Sequence, residues 1–230
     1  MTTQLPALPA EFPETRDALH QVAEKVLAPA RLAATGDEFS LEATESGFGT
    51  PTFPDGGAVR VETADLVVES ISGEPARVPI TTLKRAALAA GLDGDGLDDI
   101  GLGIDEQSAA ALAFAYHFAD GVLGELRDQC GAGQDPSPVR LWPEHFDIAF
   151  EMGIEAEGRR AGYGLSPGDE NHEEPYFYVG PWSAPGDPEG WNGVGFTGAE
   201  LGWSELRNSP DPKVAALEFL AGRFQALQAS

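Results

Sequence analysis

The sequence predicts an α+β fold: antiparallel β-sheet with packing helices, including one long central helix and a C-terminal helix. Three observations carry this expectation. Short alternating segments fall in two groups, 39–80 and 141–179, each broken by Gly, Pro and Ser turn signals. A long apolar stripe of helical period lies between the groups. A second one closes the chain.

The elements follow in order. A first helix is expected over Glu14–Leu27, with Leu19, Val22, Ala23 and Val26 on one face, until Pro29 disturbs it. Phe39, Leu41 and Ala43 alternate with polar residues, as in a half-buried strand. Residues 47–57, rich in Gly and Pro, read as a loop. Val59 and Val61, then Leu66–Ile71, then Val78–Ile80 read as further strands, the last two joined by a turn at Ser72–Pro75. Thr81 or Thr82 can cap a short helix to about Ala90 by accepting a free backbone N–H. Residues 86–104 form an acidic linker, glycine-rich from Gly91. The long helix is expected over Asp105–Cys130, with Leu112, Ala115, Ala119, Val122 and Leu126 as its stripe. Leu141–Ile154 reads as the strongest strand, with Phe146, Ile148, Phe150 and Met152 on one face and His145, Asp147, Ala149 and Glu151 on the other. Arg160–Leu165 and Tyr176–Val179 follow it. Residues 182–210 read as irregular. Asp211 caps the final helix and Pro212 opens it; Val214, Leu217, Leu220, Phe224 and Leu227 form its expected buried stripe. The whole, residues 1–230, is expected to be a single domain.

Charge narrows the function. The chain holds 38 Asp and Glu against 14 Lys and Arg, a net charge of -24. Phosphate neutralisation needs cations, so general nucleic-acid binding is excluded, as is a polybasic membrane anchor. The 42% hydrophobic content is ordinary for a globular protein, which sets this chain apart from acidic disordered ones. One cysteine, Cys130, permits no intrachain disulfide, and residues 1–13 hold neither a basic residue nor an apolar run. A cytoplasmic, membrane-free protein is the expectation. The acidity is uneven: 86–126 and 161–206 contain no Lys or Arg and eight acids each.

Two clusters could carry chemistry. Asp93-Gly94-Asp95-Gly96 resembles a calcium loop in composition, but Leu97 and Ile104 stand where an EF-hand needs oxygen ligands, so a solvated loop is the expectation. The better cluster is Trp142–Asp147 together with Asp169–Glu174. His145 and Asp147, with Glu144, are candidate catalytic groups, an imidazole oriented by a carboxylate. If the later loop folds over that strand, His145, His172 and Glu174 (or Glu173) could hold a divalent cation such as Zn²⁺ or Fe²⁺. The blander alternative is that these are surface or structural polar residues. His20 is expected to form an exposed pair with Glu24, and His117 to be structural. Trp142, Tyr163, Tyr176, Tyr178 and Trp182 could line a pocket for a neutral or cationic small molecule; otherwise they fill the core. No phosphate-binding loop, dinucleotide fingerprint, nucleophile elbow or zincin motif occurs.

Ser137-Pro138-Val139 followed by Phe146-Asp147-Ile148-Ala149 resembles the signature segment of a bacterial family catalogued as a domain of unknown function. In that family a Ser-Pro-Val triplet leads into an aromatic-rich strand ending Phe-Asp-Leu-Ala. Looser likeness extends over about residues 15–182. The chain departs from the family at Tyr163-Gly164-Leu165-Ser166, where a histidine often follows the tyrosine. The resemblance implies a fold and no established activity. Two functions therefore stand as expectations. One is an enzyme or small-molecule-binding protein with its site near His145, Asp147 and 163–182. The other is a non-catalytic protein whose acidic surface binds a basic partner.

Overall fold

A computed structural model describes residues 4–71, 73–185 and 189–229. It shows an α+β fold with antiparallel sheets, a long central helix and a C-terminal helix. Ser72, part of the expected turn at 72–75, lies outside the described residues, as do 186–188 of the segment expected to be irregular. Among the described residues no helix is long and apolar enough to cross a membrane. The chain gathers into two compact units.

One unit comprises Leu8–His117 and Arg140–Phe146. It opens with helix α1 (Phe12–Val22), a π-helical turn (Ala23–Leu27) and α2 (Ala28–Thr35). Leu19, Val22, Ala23 and Val26 are fully buried, as their spacing predicts. Pro29 does not end the helix. Proline lacks the N–H that an α-turn would use, and here the π turn absorbs the defect, with Ala28 N–H reaching back five residues to the Ala23 carbonyl. Five strands then form a sheet in sequence order: β1 (Glu42–Thr44), β2 (Gly47–Gly49), β3 (Ala58–Glu62), β4 (Asp65–Glu69) and β5 (Ala76–Pro79). Strand β2 lies in what the composition reads as loop. Its glycines are there for close approach: a Cβ on Gly47 would lie 1.9 Å from the Val61 carbonyl oxygen on the neighbouring strand. Thr82 caps α3 (Leu83–Ala89) by accepting the Arg85 N–H at 3.2 Å. This helix packs on β4 and the π turn. Asp105 then caps α4 (Glu106–Gln129) through Ser108 N–H at 2.7 Å. Strand β6 (Arg140–Trp142) pairs Leu141 with Leu41 through backbone bonds of 3.0 and 2.9 Å.

The second unit holds an N-terminal stretch ending at Ala7, Phe118–Val139 and the chain from Asp147 onward. Its sheet runs β10 (Ala199–Gly202), β9 (Tyr176–Pro181), β8 (Ala161–Ser166), β7 (Asp147–Met152), each antiparallel to the next. One face carries Ile148, Phe150, Met152, Tyr163, Leu165, Phe177 and Val179, all buried. Helix α5 (Trp203–Arg207) follows β10, and α6 (Pro212–Ala229) packs on β9 and β10. Both β10 and α5 fall within the stretch read as irregular. Trp203 is fully buried, and its indole N–H donates to the Pro6 carbonyl at 3.1 Å. On α6, Leu220 and Leu227 are buried and Leu217 and Phe224 half-buried, but Val214 is 48% exposed. The buried face follows Pro212, Ala216, Leu220 and Leu227, so Val214 lies off it, in the first turn where Asp211 takes the N–H groups of Lys213 and Val214.

Candidate functional site

The strand expected over Leu141–Ile154 is interrupted. Residues 143–146 form a turn between β6 and β7. Phe146 closes it with φ of 56° and donates its N–H to the Trp142 carbonyl at 2.7 Å. His145 therefore does not share a strand face with Asp147. Together with Glu144 it is exposed in the turn, while Asp147 begins β7 and is buried. His20, expected to sit exposed beside Glu24, instead stacks on the Phe146 ring at 5.0 Å and lies 3.0 Å from the Pro143 carbonyl. His117 is exposed.

What the second unit does bring together is Asp147, Asp169, His172, Tyr176, Tyr178 and Glu200. Register explains how. Gly164 of β8 lies between Ala149 of β7 and Tyr178 of β9. A Cβ there would meet the Ala149 Cβ, the Ile148 carbonyl oxygen and the Tyr178 ring, each at 2.8 Å. The missing side chain lets the Tyr178 ring cross β8, and its hydroxyl donates to Asp147 Oδ2. Burial, the Asp147 charge and this hydrogen bond all push the Tyr178 phenol up from its ordinary pKa.

Beside Tyr178, residues 169–172 make a turn in which Asp169 N–H bonds the His172 carbonyl at 2.9 Å. The Asp169 carboxylate receives the Tyr176 hydroxyl at 2.7 Å, His172 Nδ1 at 2.9 Å and Asn171 N–H at 2.7 Å. Burial alone would raise its pKa, but the bonds from Tyr176, His172 and Asn171 outweigh it and hold the carboxyl below its ordinary value. Burial and Asp169 raise the Tyr176 phenol. On the far side of the imidazole, Nε2 lies 3.2 Å from Glu200 on β10. Glu200 also accepts Val194 N–H at 2.9 Å, and Phe196 stacks on Tyr176 at 6.1 Å. The two nitrogens of His172 are thus each taken by a carboxylate. In an acid–base site the second nitrogen would face a nucleophile or substrate; here it faces Glu200.

The remaining expected residues lie elsewhere. Glu174 is committed to α5, receiving Ser204 N–H at 3.1 Å and its hydroxyl at 2.8 Å. Tyr163 lies on the opposite face of β8, fully buried and stacked on Phe150 at 5.7 Å, its phenol raised by burial. Trp182 is 53% exposed under the Arg160 guanidinium, 5.3 Å from the ring centre. Trp142 is half-buried in β6 of the other unit. Among the described residues no three His, Cys, Asp or Glu side chains are placed to hold a metal ion. In the acidic linker, Asp93 caps its own turn through Asp95 N–H, and Asp99 accepts the Thr82 hydroxyl at 2.7 Å. Cys130 packs against Met152 sulfur at 2.9 Å, with burial raising its thiol pKa. The Ser-Pro-Val triplet has a local role: Ser137 bonds Glu151 on β7 through both its backbone N–H and its hydroxyl, each at 2.9 Å.

Set against known proteins, the chain matches no family model, no curated protein and no solved structure. Glu200 and Phe196 are the members of the cluster that sequence reasoning missed as site residues. Their only local signal is an acid or aromatic among glycines.

Proposed function

We propose that the protein is a non-catalytic interaction protein whose acidic surface binds a basic partner. The observation that carries this reading is how the cations are spent. Arg16, Arg31, Arg60, Arg77, Arg127, Arg159, Arg160 and Lys213 are all paired with carboxylates of this same chain. Eight of the 14 cations are thus already used, and the excess of acids is left to solvent or to a partner. Such a surface repels itself, and a cationic partner relieves that repulsion while being steered toward it. The His172 contacts agree with this reading: Asp169 takes one ring nitrogen and Glu200 the other.

Calorimetry with an oligolysine peptide tests the reading. Binding at low salt that weakens steeply as salt rises is expected, with no binding of an oligoglutamate control. Absence of oligolysine binding at low salt would overturn it. The alternative reading, a small-molecule or catalytic site beside Asp147 and His172, requires His172 to exchange Glu200 for a ligand. It predicts that Glu200→Gln alters ligand binding without touching oligolysine affinity. On the strength of Ser137–Val139 and Phe146–Ala149, we also propose membership of the bacterial family these segments resemble.

A further inference from the structure

In the unit formed by Leu8–His117 and Arg140–Phe146, a groove of about 380 Å³ runs between α1 and the segment 98–102. Leu83 is buried in its wall, Leu102 is half-buried, and Ile100 is 72% exposed. Three carboxylates line it: Glu14, Asp17 and Asp98. Among the described residues no Lys or Arg lines it. Asp17 is paired with Arg16 at 2.9 Å, whereas Glu14 and Asp98 make no ion pair among the described residues. The segment that carries Asp98 adds no cation of its own, because 86–126 contains no Lys or Arg; the nearest in sequence are Lys84 and Arg85 at the start of α3.

The segment is held in place rather than draped. Its backbone is tied to the start of α3 by Lys84 N–H to the Asp98 carbonyl at 3.3 Å and Leu102 N–H to the Thr81 carbonyl at 3.0 Å. The Thr82 hydroxyl bonds Asp99 beside them. Ile100 is therefore presented outward by a fixed backbone. An apolar wall with an acidic rim has a definite complement: a side chain that is apolar flanked by ones that are cationic.

We propose that this groove docks a basic amphipathic segment of a protein partner, its apolar side chain against Ile100 and Leu102 and its Lys or Arg residues against Glu14, Asp17 and Asp98. The proposal rests on the reading of the protein as a binder of basic partners and names where and how that binding occurs. Pure charge attraction would be satisfied anywhere on so acidic a surface. The groove adds an apolar requirement, and so a preference for one kind of basic sequence over another.

Two probes separate the proposal from the reading beneath it: a short peptide of alternating Lys and Leu, and an oligolysine of equal charge. The full-length protein should bind the alternating peptide more tightly, by about tenfold. Ile100→Ser should abolish that advantage and leave oligolysine binding unchanged. Glu14→Gln with Asp98→Asn should weaken the alternating peptide by about tenfold and flatten its salt dependence. All three side chains are exposed, so the variants keep the fold, checked by an unchanged melting curve. Equal affinity for the two peptides, or an Ile100→Ser variant that still prefers the alternating one, would overturn the groove and leave the wider reading standing. Failure of both peptides to bind would overturn both.

Discussion

Phe146 sits in the left-handed region without being glycine, a conformation that costs an L-residue about 1–2 kcal/mol. Its surroundings offset that cost. The ring stacks on His20 and meets Phe48 and Tyr116 edge-on at 5.1 and 5.5 Å, and its carbonyl accepts the Tyr116 hydroxyl. Phe146→Ala removes this packing while keeping the strained backbone, so stability should fall by about 3–5 kcal/mol in chemical denaturation. A loss under about 1 kcal/mol, on that scale, would show that the ring is not the pin of its unit. One face of β7 is legible in sequence because large apolar residues recur with period two at Ile148, Phe150 and Met152. The turn before it is not, because the residue taking positive φ is a phenylalanine, with none of the usual turn chemistry. The tyrosines give a second residue-scale test. Tyr163, Tyr176 and Tyr178 all have phenols raised above the ordinary 10.0. A raised folded pKa contributes stability below 10.0 that is lost as pH climbs past it. Phenolate absorbance should therefore show these three ionising only as the protein unfolds in alkali. Smooth ionisation at 10.0 with the fold intact would contradict the burial.

Among the elements, α3 shows how one hydroxyl serves two segments. Thr82 accepts the Arg85 N–H and donates to Asp99. Thr82→Ala should cost about 1–2 kcal/mol and speed amide exchange at Leu102, whereas Thr82→Ser should keep most of both. Equal loss in the two variants would mean that the threonine methyl, not the cap, is what matters. The cap itself is legible, since a hydroxyl before an apolar period is a known start signal. Its bond to Asp99 is not, because it depends on where the acidic segment folds back. The same holds at the candidate cluster. His172, Tyr176, Tyr178 and Asp147 could be singled out by residue type, but the choice of Glu200 as the partner of His172 is made by β10 pairing with β9, and β10 hides among glycines. His172→Ala frees both the 169–172 turn and Glu200. Amide exchange at Val194 and at position 172 should then rise about tenfold, with little change elsewhere; unchanged exchange would show that the loops are held without the imidazole.

For the molecule as a whole, two electrostatic effects oppose one another, and their ranges decide which wins where. The ion pairs within the chain are mostly surface pairs, each contributing about 0–1 kcal/mol and weakened by salt. Against them stands the mutual repulsion of a net charge of -24, a sum over many unlike neighbourhoods that salt also screens. Eight paired cations cannot balance 38 acids, so repulsion outweighs the ion pairs. The melting temperature should therefore rise as sodium chloride is raised from about 0.02 to 0.5 M, where the screening length drops to a few ångströms. Acid acts differently. Mild acidification should stabilise first, as exposed carboxylates take up protons and the repulsion fades. Asp37, Asp105 and Asp169 hold their carboxyls below the ordinary 3.8 through bonds to backbone N–H groups, Arg31, Ser108, Tyr176 and His172. A lowered folded pKa contributes stability above 3.8 that is lost as pH falls through the folded value. Stability should thus peak on the acidic side of neutrality and collapse below 3.8. Denaturant melts across pH at low and high salt separate the two effects. The neutral-to-acid rise should vanish in high salt, because it is repulsion, while the collapse below 3.8 should persist, because it is protonation of specific hydrogen-bonded carboxylates. A rise that survives high salt would show that the acidic surface does not limit this fold.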